Sequence, residues 1–495
     1  MDEPGLDWRI CSRARLSRDP RFDGKFFIGV RGSGVYCRSI CPAPTAKEKN
    51  CRYFSTAAAA AEAGYRPCLR CRPECSPGTP AWLGTSTTVS RALRLIGESG
   101  PEDGGMEKLA GRLGVGPRHL RRLFLQHLGA TPNAVAQTRR VHFAKKLIDE
   151  TNLPMTDLAI AAGYGSTRRF NAAIRNTYHR TPTEIRATAR QTKTLPENHY
   201  LFRLRFRPPY DWKGLIAFLA RSATPGVEAV DETAYRRTIS VNGVDGCFEV
   251  TPDHAQPSLC ARIRFGDPRA LYYIVERIRA LFDLNADWAP IAKALAADPL
   301  LAARLKAAPG LRPPGCWSGF ELAVRAIVGR HADTHEAAYL AGRMVRLFGG
   351  AFPAGDDLTH IFPKPAALAE AELSRAGISS PCGDSIRALA CAVRDGRLRF
   401  EGIADSSAFV AGFRKIPGID EWTAQYVSMR ALGEPDAFPC ERKALAQQSE
   451  SWRPWRAYAA MYLWADHRKS KQALRRARVR TAQISSRRRC RRPCQ

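Results

Sequence analysis

The pattern of apolar and polar positions divides the chain into unlike stretches. From residue 81 to about 190, Leu and Ala recur at three- and four-residue spacing, which predicts helices. At Tyr200 the period drops to two: Phe202, Leu204 and Phe206 alternate with Arg203, Arg205 and Arg207, which predicts a strand. Alternation from Arg237 to Val250 is broken by Asn242-Gly243, a hairpin signal, and Leu259 to Phe265 alternates again. From Trp288 to Trp464 the helical spacing returns, with Pro and Gly at the breaks. Ahead of these, residues 1 to about 78 are rich in Cys and Arg, and Ser76-Pro77-Gly78-Thr79-Pro80 reads as a linker. The polar run Gln191 to Asn198 ends a domain, and after Asp466 there is no apolar period at all, which predicts disorder. The implied division is 1–78, 85–190, 200–285, 286–465 and a basic tail over 466–495.

Charge sharpens this picture. The 495 residues carry a net charge of +30, which points to a polyanionic partner, nucleic acid being the commonest. The tail from Arg468 to Gln495 holds twelve Lys or Arg and no acid, so +12 belongs to the tail and +18 to the rest. No apolar run approaches the roughly 18–20 uncharged residues of a membrane helix. The start, Met1-Asp2-Glu3-Pro4, lacks the basic-then-apolar order of a signal peptide. The expectation is a cytoplasmic protein with no membrane partner.

Seven of the fifteen cysteines precede residue 76, and four of these are spaced as metal ligands. Cys37 and Cys41 have three residues between them, Cys68 and Cys71 have two, and 26 residues separate the pairs. Zinc takes four soft ligands in a tetrahedron, and each short loop can deliver two thiolates. One Zn2+ is therefore expected, and the spacing suits a structural ion and a reactive one alike. Cys51 and Cys75 lack a partner at chelate distance.

The strings Tyr36-Cys37-Arg38-Ser39-Ile40-Cys41-Pro42 and Tyr65-Arg66-Pro67-Cys68-Leu69-Arg70-Cys71-Arg72-Pro73 resemble the N-terminal domain of the Ada-type alkylation-response proteins over about residues 8–75. The resemblance implies that Cys37 accepts a methyl group from a DNA methylphosphotriester. A zinc-held thiolate is a nucleophile that needs no general base. Methylation would take the four-thiolate centre from −2 to −1, so repulsion from DNA phosphate would fall.

Two further motifs follow. Ala110 to Gly114 and Ala159 to Gly163 each carry the Ala-x-x-x-Gly turn of a helix-turn-helix, and the two glycines are 49 residues apart. Pro117 suits the first turn of one recognition helix and Ser166 the N-cap of the other. Arg118, His119, Arg121 and Arg122 follow the first; Arg168, Arg169, Asn171 and Arg175 follow the second. A long helix from about Asn133 to Glu150 is expected between them. The pair resembles the AraC-type DNA-binding domain over about residues 90–188. This implies two recognition helices in successive major grooves, some side chains reading bases and others holding phosphate. Double-stranded DNA is the implied partner, and RNA polymerase the implied target of an activator.

The strings Gly319-Phe320-Glu321-Leu322-Ala323-Val324-Arg325-Ala326-Ile327-Val328-Gly329, Ile416-Pro417-Gly418-Ile419-Asp420-Glu421-Trp422-Thr423-Ala424-Gln425-Tyr426 and Trp452-Arg453-Pro454-Trp455 resemble AlkA-type 3-methyladenine DNA glycosylases over about residues 200–465. The resemblance implies a helix-hairpin-helix fold. It implies that the hairpin at Gly418 offers amides to a phosphate, and that Trp422, Tyr426 and Trp464 form the pocket in which a flipped alkylated purine stacks between aromatics.

The chain also departs from that family. The resemblance implies a catalytic Asp just after Asp436-Ala437-Phe438-Pro439, but Cys440-Glu441-Arg442-Lys443 follows. Either Arg442 stands at that position, or a short deletion has removed it, since Arg442-Lys443-Ala444-Leu445 resembles family sequence further along. Glu441, one position out of register, is the only adjacent carboxylate to substitute for it. A cation there opposes an oxocarbenium-like transition state. Arg330-His331-Ala332-Asp333 replaces a Gln-rich wedge, and Asp420 replaces the hairpin's second Gly, where a left-handed backbone would be strained and a negative charge would face phosphate. Pro439-Cys440-Glu441-Arg442 also resembles the acceptor of O6-methylguanine methyltransferases, but lacks its His.

The fold class expected is multidomain and mainly α: a small zinc α+β domain, an AraC-type double helix-turn-helix, an antiparallel α+β domain, and an all-α helix-hairpin-helix domain. Three functions are open: a methyl-sensing regulator fused to a base-excision glycosylase, a non-enzymatic zinc-containing regulator whose C-terminal half only grips DNA, or a plain zinc-stapled transcription factor without methyl transfer at Cys37.

Overall fold

A computed structural model of the chain describes residues 6–77, 87–98, 105–188, 195–353, 357–403 and 405–465. Residues 78–80 of the linker, 191–194 of the polar run and the basic tail at 466–495 lie outside the described residues. The fold is multidomain and mainly α, as expected. Among the described residues, no helix is long and apolar enough to cross a membrane.

The N-terminal unit opens on the helix Trp8–Leu16, whose first amides are capped by Asp7. Its sheet has four strands in the order Cys51–Phe54, Phe27–Val30, Val35–Arg38, Arg66–Pro67. The first three are antiparallel, and the short last one runs parallel to Val35–Arg38. An Ala-rich helix, Ala57–Glu62, is capped by Thr56, and small side chains let it lie close against the sheet.

The two helix-turn-helix units repeat one packing rule. Leu120, Phe124 and Leu128 are buried on the helix Pro117–Leu128, and Phe170, Ile174 and Tyr178 on the helix Thr167–Tyr178. Apolar groups four apart share a face, so the intervening polar residues point outward. Gly114 and Gly163 both have positive φ, +67° and +75°, a conformation that a Cβ would strain.

Between the units runs the helix Pro132–Glu150, with Pro132 in its first turn and Thr131 as cap. It is buried on several faces, and its polar side chains find partners on other domains. Tyr36 Oη and His142 Nε2 share a hydrogen bond of 2.8 Å. Lys145 Nζ lies 2.5 Å from Asp149 and 3.5 Å from Glu74, and Arg72 reaches Asp149 at 2.7 Å. Lys146 Nζ pairs with Glu150 at 2.7 Å and donates to the Arg203 carbonyl at 2.8 Å.

The alternating segments form a five-stranded antiparallel sheet in the order His199–Arg205, Ser258–Phe265, Val244–Asp253, Tyr235–Val241, Glu228–Val230. Asn242-Gly243 makes the hairpin, with Val241 opposite Val244. The first strand ends at Arg205, and Arg207 turns inward to donate to the Asn285 carbonyl at 2.8 Å. The core of this sheet is continuous with that of the second helix-turn-helix: Phe170, Ile174 and Tyr178 belong to one apolar cluster with Phe202, Phe248 and Ile263.

The C-terminal helices build two more cores: one around the apolar helix Gly319–His331, and one that packs Trp288, Ile291, Leu301 and Leu305 against Trp452, Trp455 and Tyr462. Glu321 and Arg325 on that helix pair with Arg237 and Glu228 of the sheet, at 2.7 and 2.8 Å.

His142 provides a test of the packing. Burial pushes its imidazole from 6.5 down to about 4. Between those values the unfolded chain binds a proton that the folded chain refuses, so stability is lost as pH falls from 6.5 toward 4. Urea midpoints measured across that range should fall with pH in the wild type and fall less steeply in His142→Gln.

Candidate functional site

The four cysteines arrive from two turns that the sheet brings together. Cys37 lies on the strand Val35–Arg38, opposite Ile28, and Cys41 follows in a turn closed by its amide on the Arg38 carbonyl at 3.2 Å. Cys68 leaves the short parallel strand with its amide on the Tyr36 carbonyl at 3.0 Å, and the Arg72 amide on the Cys68 carbonyl closes the second turn at 3.1 Å. All four sulfurs lie within 4.8 Å of one another. Zinc at about 2.3 Å from each sulfur spaces a tetrahedron of them by about 3.8 Å. The donor set and its spacing thus fit one zinc ion held by Cys37, Cys41, Cys68 and Cys71.

Charge around the cluster is arranged by two arginines. Buried Arg38 pairs with Asp23 through Nε at 2.7 Å and donates to the Cys71 carbonyl at 2.9 Å. Arg72, with a left-handed backbone at φ +53°, turns its guanidinium away from the sulfurs into Glu74, Asp149 and Glu150. One backbone amide reaches the cluster directly: Arg38 N donates to Cys71 Sγ at 3.4 Å. Exposure does not single out Cys37: it is 9% exposed, Cys68 8% and Cys71 6%, while Cys41 is half-buried.

The recognition-helix residues are all on the outer faces. Arg118, Arg121 and Arg122 are exposed on Pro117–Leu128, and Arg168, Arg169 and Asn171 on Thr167–Tyr178. Ser166 caps the second helix by accepting from the Arg169 amide at 3.3 Å.

At the C-terminal half, the hairpin before the helix Glu421–Ala431 exposes Gly418 at φ +80°. A Cβ there would stand 2.0 Å from Ser385 Oγ, so both conformation and space demand Gly. Asp420 is not strained, contrary to the expectation. Its backbone is extended, φ −87° and ψ 173°, and its carboxylate caps the helix by accepting from the Thr423 amide at 2.8 Å. The position needs an N-cap, for which Asp is a favoured residue.

Trp422, Tyr426 and Trp464 come together, but not as facing walls. Trp422 and Tyr426, one turn apart, stack directly at 5.0 Å with rings 10° from parallel. That separation leaves no slot for a base between them, which corrects the expected sandwich. Trp464 meets Tyr426 at 6.2 Å and stacks on Phe218 at 6.0 Å. Buried Arg430 ties the cluster down, donating to Tyr426 Oη at 2.7 Å and to the Pro314 and Gly315 carbonyls at 3.0 and 2.9 Å. Glu441 is 61% exposed and lies 2.5 Å from Arg330, and Arg442 is exposed at the start of the helix Lys443–Gln448.

Residues 10–74 match the family described as the metal binding domain of Ada, 109–188 a helix-turn-helix domain, and 201–318 the AlkA N-terminal domain. A Mycobacterium tuberculosis protein named a probable bifunctional transcriptional activator/DNA repair enzyme AlkA is 38% identical over 482 residues, covering 92% of this chain and 96% of the relative. The chain belongs to this family of bifunctional activator and repair proteins. Its parts are similar to separate proteins of Escherichia coli. DNA-3-methyladenine glycosylase 2 is 31% identical over 53% of this chain and 96% of its own length. The bifunctional transcriptional activator/DNA repair enzyme Ada is 31% identical over 37% of this chain and 48% of its own length.

Within this family architecture, several functional neighbours escaped the sequence reading. Lys145 with Asp149, and Lys146 with Glu150, stand four apart on a helix, a signal that marks a pair but not that Arg72 and Glu74 complete it. Arg430 stands one turn beyond Tyr426, whereas Phe218 comes from another domain and carried no signal.

Metal content checks the four-cysteine centre. Native mass spectrometry of the full chain should find one zinc per chain, and Cys71→Ser should lose it and destabilise the N-terminal unit, seen as earlier proteolysis there.

Proposed function

We propose that the N-terminal half is a methyl sensor coupled to a promoter-binding domain, and that Cys37 is the acceptor. The observation that carries this is the four-cysteine cluster standing against the helix that joins the two helix-turn-helix units, through Tyr36–His142 and Arg72–Asp149. Zinc bound there keeps the four sulfurs as thiolates at neutral pH. Cys37 is assigned as the acceptor because it is the first cysteine of the cluster, within the stretch 10–74 that matches the metal binding domain of Ada. Its Sγ attacks the methyl carbon of a phosphotriester. An S–C bond forms, the O–CH3 bond breaks, and the electron pair leaves on the phosphate oxygen as a diester. No proton moves, and the thioether is not released, so each chain reacts once.

The cluster then carries one negative charge fewer, and affinity for DNA rises. Arg118, Arg121, Arg122, Arg168, Arg169 and Asn171 supply phosphate and base contacts from two recognition helices, and the promoter-bound chain acts on RNA polymerase. The working units are 1–78, 85–190, 200–285 and 286–465. Peptide mapping of the zinc-loaded chain after exposure to methylated DNA should find one methyl on Cys37, with none in Cys37→Ser. A methyl on another cysteine, or no methyl, would sink the assignment. Replacing both Arg121 and Arg168 by Ala should weaken promoter binding in a gel-shift titration.

For the C-terminal half we propose recognition of alkylated purines in DNA, with the Gly418 hairpin on a phosphate and a flipped base at the Trp422–Tyr426–Trp464 cluster. Stacking a cationic base on an indole contributes roughly 0.5–2 kcal/mol. Base excision then depends on Glu441 in place of the family's Asp. A second reading, binding without excision, is favoured by the Arg330–Glu441 ion pair and the cation at Arg442. Release of 3-methyladenine and 7-methylguanine from alkylated duplex DNA separates them. Excision that falls by about 10²-fold or more in Glu441→Gln supports catalysis by that carboxylate. No release from the folded, zinc-loaded wild type leaves a binding domain.

A further inference from the structure

The Trp422 indole is occupied. The Arg330 guanidinium lies over it, 5.3 Å from the ring centroid. Each terminal nitrogen is held by a carboxylate, Nη2 by Asp420 at 2.7 Å and Nη1 by Glu441 at 2.5 Å. Tyr426 stacks on the same indole, so between them the phenol and the guanidinium cover the ring. These groups come from three separate segments: the end of the helix Gly319–His331, the cap of the helix Glu421–Ala431, and the loop after Pro439. Together they form a receptor for a planar cation: one aromatic face and two carboxylates.

We propose that Arg330 is an internal stand-in for the cationic base, and that a flipped N-alkylated purine enters by exchanging with it. This rests on reading the Trp422 cluster as the base site. The exchange is charge for charge. A cationic base that displaces Arg330 inherits the indole and both carboxylates. A neutral base would leave Asp420 and Glu441 facing an uncharged ring, so the swap discriminates against undamaged purines. The plug is also weak enough to move. The side chains of Arg330, Asp420 and Glu441 are 33%, 43% and 61% exposed, and ion pairs so open to solvent are screened. Once displaced, the guanidinium stands beside the exposed Gly418 hairpin, where a DNA phosphate can receive it. Departure of Arg330 also frees the Glu441 carboxylate.

Equilibrium dialysis of the full, zinc-loaded chain tests the plug without requiring catalysis. The probes are 7-methylguanosine, in slightly acidic buffer where it is a cation, and neutral guanosine. Arg330→Gln should bind 7-methylguanosine about tenfold tighter than wild type, because the competing internal cation is gone. Guanosine should gain less, and adding Trp422→Ala should abolish the gain. No gain in Arg330→Gln, including no binding by either chain, overturns the proposal. An equal gain for both nucleosides also overturns it, since that is steric relief alone. Base release measured in parallel separates the two readings. A wild type that excises bases while Arg330→Gln binds no tighter keeps the glycosylase and loses the plug. A chain that shows the selective gain but excises nothing keeps the plug and loses the glycosylase.

Discussion

Charge buried on one helix requires partners, and most of this architecture is built around that requirement. Lys145, Lys146, Asp149 and Glu150 on Pro132–Glu150 are nearly inaccessible, their side chains between 5% and 11% exposed. Charge taken out of water must be paired, and removing one partner of such a set typically costs about 3–5 kcal/mol. Two of the answering groups, Arg72 and Glu74, lie just beyond the last cysteine of the metal centre, and a third, the Arg203 carbonyl, lies on the five-stranded sheet. The helix between the two helix-turn-helix units is thereby in contact with both the four-cysteine cluster and the five-stranded sheet.

This placement makes the metal centre more than a local staple. Tyr36 immediately precedes Cys37 and bonds to His142, while Arg72 immediately follows Cys71 and bonds to Asp149. Both sides of the cluster are therefore attached to the same helix by short, directional contacts. The continuous core shared by the second helix-turn-helix and the five-stranded sheet extends the connection, because close-packed interiors yield little.

The C-terminal half obeys a different logic. Its aromatic cluster is held by Arg430 on one side and met by Arg330 on the other, so cations already occupy the positions that favour them. The hairpin substitution that looked like damage, Asp420, is an ordinary helix cap that also neutralises Arg330. Glu441 interacts with the same arginine.

The sequence by itself determined the order of elements, because periods of two and 3.6 are local properties of the chain. It also determined the zinc ligands, because chelate spacing confines Cys37 with Cys41 and Cys68 with Cys71 whatever the surrounding fold. The outward faces of the recognition helices were legible for the same reason: Leu120, Phe124 and Leu128 fix one side and leave Arg121 and Arg122 on the other. Tertiary structure alone decided what lay between domains. No local rule places His142 on Tyr36, across 106 residues, or Glu441 on Arg330, across 111. Nor could spacing say that Trp422 and Tyr426 would lie on each other rather than apart. Those outcomes depend on which buried charges and rings find complementary partners once the chain closes, and that choice is made between segments rather than within them.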